Sequence, residues 1–422
     1  MNLAIWKRLL NTRYGPFMGL NIVLQGCLIG ILAPLIPILI VEKIGLDKSG
    51  VMIFFLLNTL VGIAVTLGTG WLSDGTIARY KLVLVCGLVA TLGFVGLSQA
   101  TSPVQAWLSG IAIACMGVGF PQVFAVAKTG VVAGWEHEAQ VMGITALRTL
   151  YSLGFIIGTA LTSLLISADI RTVFVLIAVV AAVVMVTTTL LLYRIETHIL
   201  REAVRINESD AAASSATTGY ALPMWALIVP LLALTIMRGA DSTRGVYLPL
   251  VMFQMFKDAS IAPLMFGITA TAELIVMGMM GYLSSKIGEK TTISIGALVG
   301  ALYFAIMSFS QSLPFLYFAH VLYAVFVAAL LGVAMAYIQG LMAHRAGLGG
   351  SLFMMVFNVG ALIGILSPLL VTGYDQTIFV IPTILCLIGA GLLMFGDRTA
   401  QIQKRMQAAS VMVDSQEVLI AK

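Results

Sequence analysis

Apolar stretches of about 20 residues or more recur along the whole chain, and this repetition leaves few ways for it to fold. A helix needs about 20 apolar residues to cross a bilayer, whereas a transmembrane barrel shows shorter segments of alternating polarity. The chain is 60% hydrophobic and 10% charged, which excludes a water-soluble globule. Its 41 glycines also fit a membrane bundle, because small residues let helices approach closely. We predict an all-α membrane protein.

Twelve segments qualify as predicted transmembrane helices and form two six-helix bundles. Their approximate bounds are 17–41, 51–72, 82–99, 104–127, 139–167, 172–193, 223–254, 262–283, 291–310, 313–338, 347–372 and 376–396. The predicted domains are an N-terminal bundle (1–193), a cytoplasmic linker (194–222), a C-terminal bundle (223–396) and a cytoplasmic tail (397–422).

The lysines and arginines predict the orientation. Most of the 23 fall in segments that lie on the same side of the membrane as both termini. Cytoplasmic loops carry an excess of these residues, so we expect both termini in the cytoplasm. Topology also accounts for the net charge of +5, and no basic stripe indicates a nucleic acid partner.

Two similar turns lie half a chain apart. GWLSDGTIARYK begins at Gly70 and GYLSSKIGEK begins at Gly281, each between the second and third spans of its half. Two copies in the same orientation indicate parallel repeats. We expect these turns to act as gating loops through Gly70, Asp74, Gly281, Lys286, Gly288 and Lys290.

The second turn resembles the Gly-x-x-x-Asp-Arg/Lys-x-Gly-Arg-Lys loop of the major facilitator superfamily. It departs from that pattern because Ser285 replaces the acid and Glu289 replaces a base, while the first copy has Ile77 and Ala78 where Gly and a base are usual. Because of these departures, the sequence does not predict whether the charge pairs typical of this loop form here.

A further resemblance covers most of the chain. FGITATAELIVMGMMGY, YIQGLMAHRAG, PQVFAVAK and the LR followed by GFIIG are similar to stretches of the bacterial sugar efflux transporter family. The positions that match are Pro121, Gln122, Arg148, Glu273, Gln339 and Arg345-Ala346-Gly347. The resemblance implies proton-linked export of sugars, glycosides or related molecules across a bacterial inner membrane. Thr159 departs from it, since the family has a proline after the glycine matched by Gly158.

Only Asp241 and Glu273, of eighteen acids, fall within the predicted spans. Glu273 lies about ten residues, or roughly 15 Å, from either end of its apolar run. A carboxylate at that depth is costly, and a proton-coupling role explains both acids. The alternative for Glu273 is a hydrogen-bonded structural link between helices.

Asp241 lies three residues from both Arg238 and Arg244, so a helix places it between them. The cluster is either a structural pair or outer gate, or a site for substrate or protons. Two arginines against one aspartate would also suit an anionic substrate.

Arg148 has no acid within its own predicted helix. A guanidinium in a span should face a cavity, a substrate or a partner such as Glu273. We predict substrate binding, with a structural pair as the alternative.

Polar side chains in the other spans are suited to bind sugar hydroxyls, and aromatic rings to stack on sugar faces. They are Asn21, Gln25, Asn58, Gln122, Tyr151, His320, Tyr323 and Asn358. Each is equally consistent with hydrogen bonds between helices, and His320 with a satisfied core residue.

No GxxxxGK[ST] loop, catalytic motif or metal-ligand cluster is present in the sequence, so we predict no cofactor, no metal and no enzyme activity. We expect a monomeric secondary active transporter that exports a sugar or glycoside by proton antiport with alternating access. The alternatives are efflux of drugs, siderophores or organic anions, and a receptor without transport.

Overall fold

The computed structural model describes residues 3–73, 77–132, 134–165, 170–206, 224–342 and 346–396. Every regular element in these ranges is helical, which confirms the predicted all-α class. Most of the predicted linker and the whole predicted tail lie outside the described residues.

The described residues up to 206 contain eight α-helices. They are α1 (Leu3–Asn11), α2 (Gly15–Glu42), α3 (Lys48–Ser73), α4 (Arg79–Gln99), α5 (Pro103–Ala114), α6 (Gly119–Val126), α7 (His137–Leu165) and α8 (Ile170–Ile206). A 3₁₀ turn at Cys115–Val118 separates α5 from α6, just before Pro121. Proline has no N–H, so the carbonyl group of Gly117 lacks its usual helical donor, and the helix tightens there.

Seven α-helices follow. They are α9 (Ile228–Phe256), α10 (Ile261–Ile287), α11 (Glu289–Phe309), α12 (Leu313–Val327), α13 (Ala334–Leu341), α14 (Ala346–Leu366) and α15 (Val380–Gly391). A π-helical turn at Ala328–Val333 joins α12 to α13, so the two form one predicted span.

Eleven helical stretches in the described residues are long and apolar enough to cross a membrane. The remaining predicted span, the seventh, corresponds to α9, which has 29 residues and is long enough. Its three charged residues, Arg238, Asp241 and Arg244, lower its mean hydropathy. Helix α8 continues past the predicted end of the sixth span at residue 193, so the described start of the predicted linker is helical as well.

The chain divides into two compact units. The first contains residues 1–211, 245–274 and 372–375, and the second contains residues 212–244, 275–371 and 376–422. The division into bundles at residues 194–222 stays a prediction.

Within the first unit, α2 and α7 touch backbone to backbone. A Cβ added at Gly26 would lie 2.1 Å from the carbonyl oxygen of Tyr151, and one at Gly158 would lie 2.1 Å from that of Cys27. Gly30 and Gly154 are equally confined. These four positions form two small-xxx-small patterns on facing helices, which explains how the two spans come so close.

Within the second unit, α14 packs against α9 in the same manner. A Cβ at Gly364 would lie 2.3 Å from the carbonyl oxygen of Gly239, and one at Gly360 would lie 2.6 Å from the Cβ of Arg238. The Ser242 hydroxyl donates to the carbonyl of Ala361 at 3.1 Å, so the two helices are also joined by a hydrogen bond. This contact fixes the part of α9 that carries the charged residues.

Candidate functional site

The charged residues of α9 form the centre of a polar cluster in the second unit. Arg238 forms an ion pair with the Asp241 carboxylate one turn later. The Tyr323 hydroxyl, on α12, donates to the other oxygen of the same carboxylate. Asp241 therefore accepts from two donors on two helices, and its side chain is 18% exposed.

Arg238 also contacts an aromatic ring on α14. The guanidinium carbon lies 4.8 Å from the centroid of the Phe357 ring, a distance suited to a cation–π contact. Phe357 lies one turn before Gly360, where α14 touches α9, so the glycine contact brings the ring to the guanidinium. Within the described residues, the buried Nε of Arg238 has no hydrogen-bond partner.

Arg244 contacts two aromatic rings on other helices. It is 3% exposed, and its Nε donates to the Tyr303 hydroxyl at 3.1 Å. Its guanidinium carbon lies 3.9 Å from the centroid of the Tyr323 ring. The cation–π contact holds this ring while its hydroxyl reaches Asp241.

The hydrogen bonds of His320 have a fixed direction. Its Nδ1 lies 2.8 Å from the carbonyl oxygen of Leu316, which can only accept, so Nδ1 carries the proton. Its Nε2 therefore accepts the Tyr303 hydroxyl proton at 3.1 Å. Tyr303 in turn accepts from Arg244, so the three buried side chains form one directional series.

The charged-aromatic cluster, meaning Arg238, Asp241, Arg244, Tyr303, His320, Tyr323 and Phe357, combines two guanidinium groups with one carboxylate. Sequence reasoning found five of these residues and missed Tyr303 and Phe357. No local signal marks the two rings, because they lie in ordinary apolar runs and reach the cluster only through the packing of α11 and α14. The arrangement offers donors, an acceptor and a ring face to a polar solute.

Glu273 on α10 and Arg148 on α7 are both partly buried, and both belong to the first unit. Their predicted pairing stays a prediction. Tyr151, one turn after Arg148, packs edge-on against Phe120 with the ring centroids 4.9 Å apart.

Three of the predicted sugar-binding amides join helices. Asn21 donates to Thr187 and Thr188 on α8 at 3.0 Å. Gln25 donates to Asn21 on its own helix at 2.8 Å and to Thr188 at 3.4 Å. Asn58 donates to the carbonyl of Gly110 at 2.8 Å. These contacts match the interhelical alternative considered above. Asn358, on α14, is partly buried.

Gln122 belongs to a second polar network at the start of α4. Its Oε1 accepts from Arg79 Nη1 at 2.9 Å, and Arg79 Nε lies 3.9 Å from a carboxylate oxygen of Glu196 on α8. Glu196 also accepts the backbone N–H groups of Arg79 and Tyr80, at 3.0 and 3.4 Å. The carboxylate thus caps a helix whose own N-cap residue, Ala78, has no side-chain acceptor. Sequence reasoning missed Arg79 and Glu196 as a pair because 117 residues separate them.

Of the predicted gating residues, Gly70 lies on α3 and Gly281 lies on α10. A Cβ at Gly70 or Gly281 would meet nothing within 4 Å. Gly288 has a φ of +87°, a conformation that favours glycine, and it precedes α11. Lys286 is exposed and Lys290 is partly buried, while Asp74 lies outside the described residues.

An all-helical chain with a charged cluster buried among apolar spans has the construction of a membrane transporter. The sequence profile of the Major Facilitator Superfamily matches residues 18–243 and 224–413. The chain belongs to this superfamily, as its motifs predicted. It is therefore a multi-pass membrane transporter of small molecules and not an enzyme.

Known relatives and a solved structure agree with this assignment. Sugar efflux transporter A of Escherichia coli (strain K12) is 23% identical over 358 residues, which cover 84% of this chain and 88% of the relative. Sugar efflux transporter B of Salmonella typhimurium (strain LT2) is 25% identical over 338 residues, which cover 78% of this chain and 81% of the relative. The crystal structure of nucleoside transporter NupG superposes with a TM-score of 0.69 at 15% identity, over 90% of this chain and 97% of that one. The last similarity concerns the fold alone.

Proposed function

We propose that this transporter exports a small polar solute, a sugar or glycoside, in exchange for protons. The observation that carries the proposal is the alignment, over most of the chain, with proteins named sugar efflux transporters. The chemistry of the charged-aromatic cluster supports it. We place the protein in a bacterial inner membrane as a monomer with both termini in the cytoplasm, in keeping with its basic loops.

The cluster supplies the groups that a sugar site needs. Asp241 accepts hydrogen bonds from hydroxyls, Arg238 donates to them, and the Phe357 ring offers a face to the apolar side of a pyranose. Because Asp241 already shares its carboxylate between Arg238 and Tyr323, an arriving hydroxyl would replace one of these donors. Binding and release would then exchange one set of hydrogen bonds for another at modest cost.

Glu273 is our proposed proton carrier. Asp241 forms an ion pair with Arg238 and accepts a hydrogen bond from Tyr323, and both contacts favour the ionised carboxylate. Asp241 is therefore better suited to be a fixed charge in the substrate site than a proton carrier. Glu273 is the other acid in a predicted span and lies about 15 Å from either end of its apolar run. Protonation of Glu273 and binding of solute would compete, and Arg148 is the proposed partner of the ionised Glu273. Rocking of the two bundles would give the solute access to each side of the membrane in turn.

The test is flux in proteoliposomes with an imposed pH gradient. We expect Glu273→Gln to abolish solute movement driven by the gradient and to leave exchange of labelled for unlabelled solute measurable. Glu42→Gln, at an exposed glutamate where α2 ends, is the matched control and should keep both activities. Gradient-driven flux in Glu273→Gln would refute the carrier role, and binding without any flux would identify a receptor.

The excess of arginine favours a second candidate, efflux of an organic anion. Arg238 and Arg244 outnumber Asp241, and an anionic solute would balance the charge. Counterflow with methyl glucoside and with glucuronate separates the two candidates. If Arg238→Gln lowers affinity for glucuronate at least tenfold more than for the glucoside, the anion is the substrate.

A further inference from the structure

A basic recess lies in the first unit, away from the charged-aromatic cluster. It encloses about 380 Å³ between the start of α2 and the late part of α8. The described residues that line it are Arg13, Tyr14, Phe17, Arg194, Thr197 and His198. None of these six is acidic, so the recess combines two guanidinium groups, an imidazole and two hydroxyl groups.

The two guanidinium groups are exposed. The Arg13 guanidinium carbon lies 5.5 Å from the centroid of the neighbouring Tyr14 ring. In the described part of the chain, neither Arg13 nor Arg194 forms an ion pair. Two such groups around one recess present forked donors that match the oxygens of a phosphate.

The walls of the recess are fixed by contacts between α2 and α8. The Tyr14 hydroxyl donates to the carbonyl of Arg194 at 3.4 Å. The Tyr14 ring meets the His198 ring edge-on, with centroids 5.9 Å apart. Arg13, in the turn just before α2, and Arg194, on α8, are therefore held at a spacing that is set independently of any ligand.

Exposed apolar side chains lead away from the recess along both helices. On α8, Val186, Leu190 and Tyr193 are exposed at helical spacing and are followed directly by Arg194. On α2, Leu20 is exposed one turn after Phe17. An apolar stripe that ends in basic residues matches a lipid, with acyl chains on the stripe and its headgroup at the arginines.

A second basic recess adjoins the first. Lys7, Arg8, Asn11, Thr12 and Trp135 line it, and the Arg8 guanidinium carbon lies 4.4 Å from the centroid of the Trp135 ring. Its described lining is also free of acids. The neighbouring positive charge strengthens the attraction for an anion at the arginines.

We propose that the recess between α2 and α8 binds the phosphate of an anionic phospholipid headgroup, with Arg13 and Arg194 as its main ligands. The apolar stripes favour a lipid over a soluble phosphate, because a soluble ligand would make no use of them. This site is separate from the proposed transport function.

Native mass spectrometry of the full-length protein, titrated with phosphatidylglycerol or phosphatidylcholine, tests the proposal. We expect the wild type to prefer phosphatidylglycerol roughly thirtyfold, and Arg13→Gln/Arg194→Gln to remove this preference. The control pair Lys81→Gln/Lys257→Gln removes two exposed charges outside the recess and should keep it. Equal binding of both lipids to the wild type, or an equal loss in the control pair, would overturn the proposal.

A competition experiment on the wild type separates the two sources of phosphate without any substitution. We expect sn-glycerol 3-phosphate, which has the headgroup chemistry without acyl chains, to displace phosphatidylglycerol only at concentrations at least a hundredfold higher. Displacement at equal concentration would assign the recess to a soluble phosphate and refute the lipid.

Discussion

At the scale of single residues, Tyr303 links Arg244 to His320 within the charged-aromatic cluster. Its hydroxyl accepts from Arg244 and donates to His320, and it is completely buried. Leaving a buried donor or acceptor unpaired costs more than a hydrogen bond contributes net. The cluster therefore depends on a phenol that binds no substrate in our proposal.

Tyr303→Phe removes this hydroxyl and leaves both Arg244 Nε and His320 Nε2 without their shared partner. We expect a loss of about 1–3 kcal/mol in stability, measured as a lower midpoint of thermal unfolding in detergent. Tyr282→Phe is the control, because the Tyr282 side chain is 67% exposed. An unchanged midpoint in Tyr303→Phe would show that the hydrogen bonds from Arg244 through Tyr303 to His320 contribute nothing to stability.

Arg238 and Asp241 form the pair that we place in the substrate site. Removing either partner leaves the other charge poorly compensated, so Arg238→Gln and Asp241→Asn should each weaken solute binding at least tenfold. The double variant should lose less than the product of the two single losses, since neither charge is then left alone. Binding measured by isothermal titration calorimetry checks the cycle, and strictly multiplicative losses would contradict the pairing.

At the scale of elements, the sequence predicted the helices well and their contacts poorly. Apolar length alone located the spans, and i, i+3 spacing predicted that Asp241 lies beside Arg238. The same spacing placed Arg244 near Asp241, but it gave no sign of the contacts that Arg244 makes with Tyr303 and Tyr323 on other helices. Glu196 was missed because it lies in the segment assigned to the linker, and nothing in the sequence around it indicates that it caps α4. Contacts between distant helices depend on packing that one sequence does not record.

The glycines of α2 and α7 carry the clearest prediction at this scale. In Gly158→Ala the new methyl group meets the backbone of Cys27, which no rotamer change can relieve, so the helices must separate. We expect a loss of at least about 2 kcal/mol in stability and a lower yield of folded protein by size-exclusion chromatography. Gly278→Ala on α10 is the control, because a Cβ there meets nothing within 4 Å. Equal yields of the two variants would refute the tight contact.

At the scale of the whole molecule, the proposed exchange moves charge as well as solute. If one proton enters for each neutral glycoside that leaves, one positive charge moves inward per cycle. An inside-negative potential therefore favours export. If the solute is a monovalent anion, two charges move, and the dependence on potential is steeper.

Steady-state solute gradients in proteoliposomes with a potassium diffusion potential measure this charge. At about 100 mV, inside negative, the outside-to-inside ratio of a neutral glycoside should rise up to about fiftyfold. For an anion the rise should approach the square of that factor. A ratio that does not respond to potential would exclude both schemes.

The close backbone contact between α2 and α7 restricts how these two helices can move in the proposed transport cycle. At each glycine of this contact, a backbone carbonyl group of the other helix occupies the space that a side chain would fill. The two helices therefore pack in a single register. If one helix slid by one turn along the other, larger side chains would clash at the positions that the glycines now occupy. In the alternating-access cycle that we propose, these two helices move as one rigid unit, and the bending occurs elsewhere.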